Sequence, residues 1–133
     1  MSTLLLEIVT PERTVYAKDV NMVILRGVEG EMGVLRGHVP TVTPLKIAAV
    51  VAKIGGKEER IAVSGGFAEI RHEKVVILAE SAELPNEIDL DRAQLAKKRA
   101  EDRLRTNSRK DEVDFRRAEL ALQRAMNRIS LRG

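Results

Sequence analysis

The sequence predicts an α+β chain: an N-terminal antiparallel β-sandwich over residues 1–85, then a C-terminal two-helix hairpin over 86–133. Three observations predict it. Short β-prone runs broken by Gly, Pro, Asn and Asp fill the chain from Leu4 to Ala79, with no helical periodicity between them. Beyond Pro85-Asn86 apolar residues recur at steps of three and four with no Gly or Pro until the chain end. The charge divides at the same place: residues 1–85 carry 10 basic and 11 acidic side chains, residues 86–133 carry 13 and 9, and together these give the net +3. The basic excess belongs to the tail, where it can serve an anionic ligand or an acidic partner.

In the first region Leu4 to Val9, Met22 to Leu25, Ile47 to Val51, Ile61 to Val63 and Val75 to Leu78 are the clearest strands; Thr14 to Ala17, Met32 to Leu35 and Phe67 to Arg71 are weaker. With aromatic residues at 2% of the chain, Val, Ile, Leu and Ala must fill the core. Gly55-Gly56 is a hairpin signal. Gly65-Gly66 reads as a turn or bulge that needs positive φ or close backbone approach. Between Gly30 and Pro40, three glycines and a proline imply tight turns around a very short strand. Its polar residues Glu31, Arg36 and His38 form either a contact surface or a solvated loop, and on residue types alone the solvated loop is the simpler reading.

In the tail, Asn86 is the expected N-cap of a first helix running from Glu87 to about Arg105, with Asp89 near the positive end of its dipole. Thr106 to Lys110 forms a polar break, and Ser108 or Asp111 caps a second helix reaching about Ile129. Phe115, Ala118, Leu122, Ala125 and Ile129 make one apolar stripe, with Met126 alongside. Ala93, Ala96, Ala100 and Leu104 make a narrower one of small residues, with Leu95 beside it. Small residues let helix backbones approach closely, so the helices are expected to fold on each other. The buried area is small, and at ~25 cal/mol per Å² the hairpin is marginal and open to a second, extended conformation.

No catalytic constellation appears. His38 and His72 are far apart without cysteine partners, which argues against a metal site, and P-loop and nucleophile-elbow patterns are missing. Asp89 and Asp91, two apart on a helix, point to different faces, which is poor geometry for paired-carboxylate chemistry. The chain reads as a non-enzyme. It has no cysteine for disulfides, no apolar run near the ~18 to 20 residues that cross a bilayer and no signal peptide, so direct membrane insertion is not expected. Acidic residues among the basic ones and a single tail aromatic, Phe115, argue against nucleic-acid binding.

Asp89, Arg92, Ala96, Arg99 and Arg103 fall on one face of the first helix, and Arg117, Arg124 and Arg128 share a face of the second. In a closed hairpin guanidinium groups from both helices can converge on a phosphate, whose oxygens the planar fork matches bidentately. Asp89 would accept hydrogen bonds from a base or ribose, or orient Arg92; Ala93 would leave room for a ring. On spacing alone, a solvated face with pairs such as Asp89 with Arg92 or Glu119 with Arg116 is the simpler reading.

Several separated motifs in order carry a family resemblance over nearly the whole chain: Val9-Thr10-Pro11, Gly30 to Leu35, Gly37-His38-Val39-Pro40, Ala62 to Phe67, Ile88-Asp89-Leu90-Asp91-Arg92-Ala93 and Arg117 to Arg128. The chain resembles the epsilon subunits of bacterial rotary proton-translocating ATP synthases, particularly those of bacilli. The resemblance implies a sandwich that binds the foot of the gamma subunit and the polar loops of the c-ring, the latter through the turn holding Glu31 and His38. It implies a hairpin that can extend along gamma toward the catalytic alpha and beta subunits and block rotation in the hydrolysis direction, with bound ATP favouring the folded form. The family's ATP pattern, Ile/Leu-Asp-x-x-Arg-Ala, is satisfied by Ile88, Asp89, Arg92 and Ala93; Glu83, Arg124 and Arg128 match its other nucleotide positions, and Arg99 is carried over more weakly. ATP, with or without Mg2+, is the implied regulatory ligand, and the implied location is peripheral, on the cytoplasmic side of the cell membrane. The link from Thr106 to Glu112 departs from the family in being longer and more charged, which would alter the hairpin's balance and its ATP affinity.

Overall fold

The computed structural model describes residues 2–107 and 112–132, which form two compact units dividing after Leu84. The first unit holds eight strands: β1 Leu4–Val9, β2 Thr14–Val20, β3 Met22–Gly27, β4 Gly30–Val34, β5 Thr41–Ile54, β6 Lys57–Ile70, β7 Lys74–Ala79 and β8 Ala82–Glu83. They hydrogen-bond in one continuous order, β2-β1-β7-β6-β5-β3-β4, with β8 on β6. The sheet doubles over because β5 and β6, 14 residues each, belong to both layers. The Gly66–Ile70 end of β6 pairs β7, which in turn pairs β1, whereas Val51–Lys53 of β5 pairs β3 and Ala62–Val63 of β6 pairs β8.

The doubling passes through Gly65-Gly66, with φ of 76° and 124°. The two runs read separately as Ile61 to Val63 and Phe67 to Arg71 are therefore one bent strand. Only glycine reaches such φ without strain, and a Cβ on Gly66 would lie 2.1 Å from the Leu78 carbonyl oxygen. Gly55-Gly56 closes the β5–β6 hairpin as a two-residue loop, both φ positive, so the backbone twist matches that of the strands. One pairing differs from an all-antiparallel sandwich: β1 runs parallel to β7, because the chain crosses the other layer before returning to its side.

Alternation sets the core. Leu4, Leu6 and Ile8 on β1, Val23 and Leu25 on β3, Ala68 and Ile70 on β6, and Val75 and Ile77 on β7 are all buried, while their neighbours along the strand point outward. Tyr16 is the one buried aromatic there, and its hydroxyl donates to Glu59 Oε1 at 2.7 Å, with Lys18 Nζ also on Glu59 at 3.0 Å. This ties the free edge of the first layer, β2, to β6 in the second. The hydrogen bond from Tyr16, then that from Lys18, holds the Glu59 carboxyl below the ordinary range; burial and the Glu59 bond push the Tyr16 phenol upward. A depressed carboxyl contributes stability above its unfolded pKa, ~4.3, that is lost as pH falls through its folded value. Tyr16→Phe is therefore expected to cost about 1 kcal/mol at neutral pH, discounted for Glu59's exposure, and less at an acid pH below its folded value, where Glu59 is protonated. Urea melts of both proteins at the two pH values check it; an equal cost at both would show that the tie is not ionic.

The second unit opens with a 3₁₀ turn, Pro85–Glu87, followed by α1 Leu90–Asn107 and α2 Glu112–Arg132. The helix starts later than Asn86 suggested. Asn86 lies inside the 3₁₀ turn, and Asp89 is the cap: its Oδ1 accepts the Arg92 backbone N–H at 3.1 Å and its carbonyl accepts Ala93 N–H at 2.9 Å. The Ile88 N–H closes the preceding turn onto the Pro85 carbonyl at 3.2 Å, so the chain enters the helix only after that bond is made. At the other end α1 continues through the predicted break at Thr106, whose hydroxyl donates to the Asp102 carbonyl. The predicted cap at Ser108 or Asp111, and most of the link from Thr106 to Glu112, lie outside the described residues.

α1 and α2 pack along their lengths, and two such helices joined by so short a connection must run antiparallel. Of the two predicted stripes, the small residues are the ones fully buried: Ala93 and Ala100 on α1, Ala118 and Ala125 on α2. Leu95 and Met126 are exposed. Each buried methyl is worth only about 0.8 kcal/mol, so the contact brings backbones close but stabilises weakly.

Candidate functional site

Alanines seven apart on both helices fix how the hairpin faces are composed. An antiparallel pair has an approximate two-fold axis perpendicular to its plane, so positions equally offset from the contact residues fall on the same side. One residue before each buried alanine stands an arginine: Arg92 and Arg99 on α1, Arg117 and Arg124 on α2. Arg103 and Arg128, one turn beyond Arg99 and Arg124, extend the same face. An antiparallel pairing that sets Ala93 against Ala125 and Ala100 against Ala118 would put Arg92 level with Arg124 and Arg128, at the end of the hairpin where Asp89 caps α1.

The sequence-predicted residues differ in setting. Ile88 and Ala93 are both buried. Asp89, Arg92 and Arg99 are exposed; Arg124 and Arg128 are half-buried. Glu83, on β8, belongs to the sandwich unit. The simpler reading of a surface laced with i,i+3 pairs holds elsewhere on these helices: Arg105 pairs with Asp102, Arg116 with Glu119 at 3.6 Å, and Arg117 with Asp114 at 3.9 Å. Among the described residues Arg92, Arg99 and Arg124 form no ion pair. Asp89 meets the Arg92 backbone rather than its guanidinium. These guanidinium forks can take phosphoryl oxygens bidentately without breaking a bond inside the protein, and the second carboxylate oxygen of Asp89 remains for a hydroxyl or exocyclic amine. A nucleotide's chemistry fits this donor set. Among the described residues no cluster of three or more His, Cys, Asp or Glu could hold a metal, so Mg2+ would have to arrive on the phosphates.

On the sandwich, Arg36, Gly37 and His38 are held on the β6–β7 turn: Arg36 pairs with Glu73 at 2.7 Å and the Gly37 N–H donates to the His72 carbonyl at 2.6 Å. His38 Nδ1 donates to the Val39 carbonyl at 2.7 Å. Glu31 lies on β4 opposite Arg26, exposed, in the β3–β4 hairpin. No bond joins Glu31 to His38 among the described residues; they are separate projections with different supports.

One surface was missed from sequence. Register aligns Pro44, Phe67, Leu78 and Val9 in one row across β5, β6, β7 and β1, and cross-strand partners share a face. Phe67 is 56% exposed, Leu78 53%, and Val42 in the next row 69%. These residues form a contiguous apolar row on an outer sheet face. The available signal was phase: Phe67 alternates with Ala68 and Ile70, so whenever those are core it must face out.

The chain is thus a β-sandwich unit followed by a close-packed helical hairpin with an arginine face. Residues 3–85 match the beta-sandwich domain of the ATP synthase delta/epsilon chain, and residues 86–132 match its long alpha-helix domain, so the chain belongs to that family. It is 56% identical over 133 residues to the ATP synthase epsilon chain of Alkalihalophilus pseudofirmus, covering 100% of this chain and 99% of that one. It is 56% identical over 105 residues to that of Brevibacillus brevis, covering 78% and 80% respectively. Among solved structures it matches a chain in the Euglena gracilis mitochondrial ATP synthase (OSCP/F1/c-ring), with TM-score 0.80, 28% identity, and 96% of this chain and 79% of that one covered. A chain of the Tetrahymena thermophila mitochondrial ATP synthase central stalk and c-ring shares the fold, with TM-score 0.67 at 11% identity, covering 98% and 96%. The chain is an epsilon-type, non-catalytic subunit of an ATP synthase. No helix among the described residues is long and apolar enough to cross a membrane.

Proposed function

We propose that this subunit couples the rotor to the c-ring and restrains ATP hydrolysis through its C-terminal helices, with ATP favouring the closed hairpin. The observation that carries the nucleotide reading is the set of unpaired guanidinium groups of Arg92, Arg99 and Arg124 on one face of a weakly packed hairpin, beside Asp89. ATP bound only by the closed form stabilises it by RT ln(1 + [L]/Kd), enough to bias a marginal element. Ile88 anchors the entry, Asp89 holds the helix start and reads the nucleoside, and Arg92, Arg99, Arg124 and Arg128 hold the phosphates. Released at low ATP, the helices present a basic surface to the catalytic alpha and beta subunits.

The apolar row of Pro44, Phe67 and Leu78 is the surface we assign to the gamma subunit, since a permanent rotor contact calls for apolar burial. The exposed Glu31 and His38 segments suit the polar loops of the c-ring. The subunit then sits at the cytoplasmic side of the cell membrane, peripheral and held there by partners.

Calorimetry with ATP tests the site. Arg92→Ala is expected to weaken binding by about tenfold or more, as expected for loss of a charge-assisted contact worth ~1.5–3 kcal/mol. Because Asp89 is also a cap, Asp89→Ala confounds two losses of which the cap alone is ~1 kcal/mol. Asp89→Asn keeps the cap and removes the charge, so weakened ATP binding with unchanged helix content is expected. Wild-type affinity in both Asp89→Asn and Arg92→Ala would remove the nucleotide reading.

A further inference from the structure

The two helices share a sequence repeat. Shifted by 25 positions, Ile88–Leu104 and Val113–Ile129 are identical at 8 of 17 positions, including Asp89/Asp114, Arg92/Arg117, Ala93/Ala118, Arg99/Arg124, Ala100/Ala125 and Arg103/Arg128. The shift is the one that relates the buried alanines, so the sequence repeat and the two-fold axis of the packed hairpin coincide. The operation that carries Arg92 onto Arg117 also carries Arg124 onto Arg99 and Arg128 onto Arg103. The inner set, Asp89, Arg92, Arg124 and Arg128, therefore has a symmetry mate at the other end of the same face: Asp114, Arg117, Arg99 and Arg103. The two sets lie roughly 13 Å apart along the hairpin at ~1.5 Å per residue, with Ala96 and its repeat mate Ala121 between them.

We infer that this outer set is a second anion site, built for a phosphoryl or pyrophosphoryl group. Each set holds three arginines and one aspartate. Each keeps a like-charged arginine pair at i,i+4 (Arg99 with Arg103, Arg124 with Arg128), an arrangement that destabilises an isolated helix. A merely solvated face has no reason to repeat that cost at equivalent places in both helices; an anion shared by the forks offsets it. Arg99 and Arg103 form no ion pair among the described residues, and Arg117 has only the exposed 3.9 Å contact with Asp114. The inference takes its ligand class from the nucleotide reading of the inner set, but its residues are distinct apart from Arg99, which stands nearest the boundary. A nucleotide on the inner set, even one that reaches Arg99, would leave Arg103 and Arg117 for a second phosphate group.

Inorganic pyrophosphate titrated into the full chain tests this, with arginine side-chain N–H resonances and calorimetric stoichiometry as readouts. Wild type is expected to bind at two places and to shift Arg103 and Arg117 as well as Arg92 and Arg124. Arg103→Ala/Arg117→Ala is expected to lose the outer shifts and keep the inner ones; Arg92→Ala/Arg124→Ala should do the reverse. Arg103→Lys/Arg117→Lys, which keeps charge but not the fork, should weaken the outer event about tenfold. Outer shifts without inner ones would sink the nucleotide reading and leave this one standing. Inner shifts alone, or a lysine variant binding as tightly as wild type, would overturn the second site. Unchanged circular dichroism confirms that these exposed substitutions leave the helices formed.

Discussion

Gly66→Ala is expected to destabilise the sandwich by about 4 kcal/mol, the largest effect of any single methyl in the chain. Two independent costs add at this residue. Its φ of 124° lies where an L side chain is strained by ~1–3 kcal/mol. The new Cβ would also stand 2.1 Å from the Leu78 carbonyl oxygen and 2.9 Å from Ala79 Cα, backbone atoms fixed by the β6–β7 ladder. Relief requires β6 and β7 to part where β6 passes between layers, so the cost spreads into the core. Gly55→Asn is the control: φ there is 54°, nothing lies within 4 Å, and Asn tolerates that conformation, so a change within about 0.5 kcal/mol is expected. Denaturant midpoints at constant slope measure both. Near-equal effects would mean that β6 can relax, and that the close approach at Gly66 does not hold the layers together.

What was legible in the sequence follows from how local each cause is. Strand alternation, the Gly55-Gly56 loop and the two helices are written in neighbouring residues and were read correctly in kind. The merging of two short runs into β6 was not, because Gly65-Gly66 signals a break equally well whether the chain stops or only bends. The parallel β1–β7 pair depends on the path between distant segments and has no local mark. The helix start was misplaced because Asn86 and Asp89 are equally good caps by type; the 3₁₀ bond from Ile88 to Pro85 decides between them. The arginine face was visible as periodicity, but periodicity is silent on which partner it meets. The buried alanines, spaced by the same 25 positions, are what give the repeat its significance.

Ala125→Leu is expected to open the hairpin and so to invert the subunit's regulatory balance. Ala125 is fully buried in the hairpin, and a leucine there adds three carbons where there is no room for them. Overpacking of this kind costs ~1–3 kcal/mol in a core that can resist it. The hairpin has little to resist with, its fully buried contact being mostly alanine methyls, so about 2 kcal/mol is enough to move it from mostly closed to mostly open, a roughly 30-fold change in the equilibrium. The apparent ATP Kd rises by the inverse of the fraction that stays closed, while the arginine face itself is untouched. Saturating ATP should therefore recover the closed form in Ala125→Leu but not in Arg92→Ala, which separates loss of packing from loss of ligand. Spin labels at the exposed Gln94 and Gln123 report the separation directly, and hydrolysis by the reconstituted complex should be more strongly inhibited at low ATP. Met126→Ala, one residue on but exposed, is expected to change neither. A leucine variant whose labels stay close with and without ATP would show that the alanine contact is not what sets the hairpin's balance.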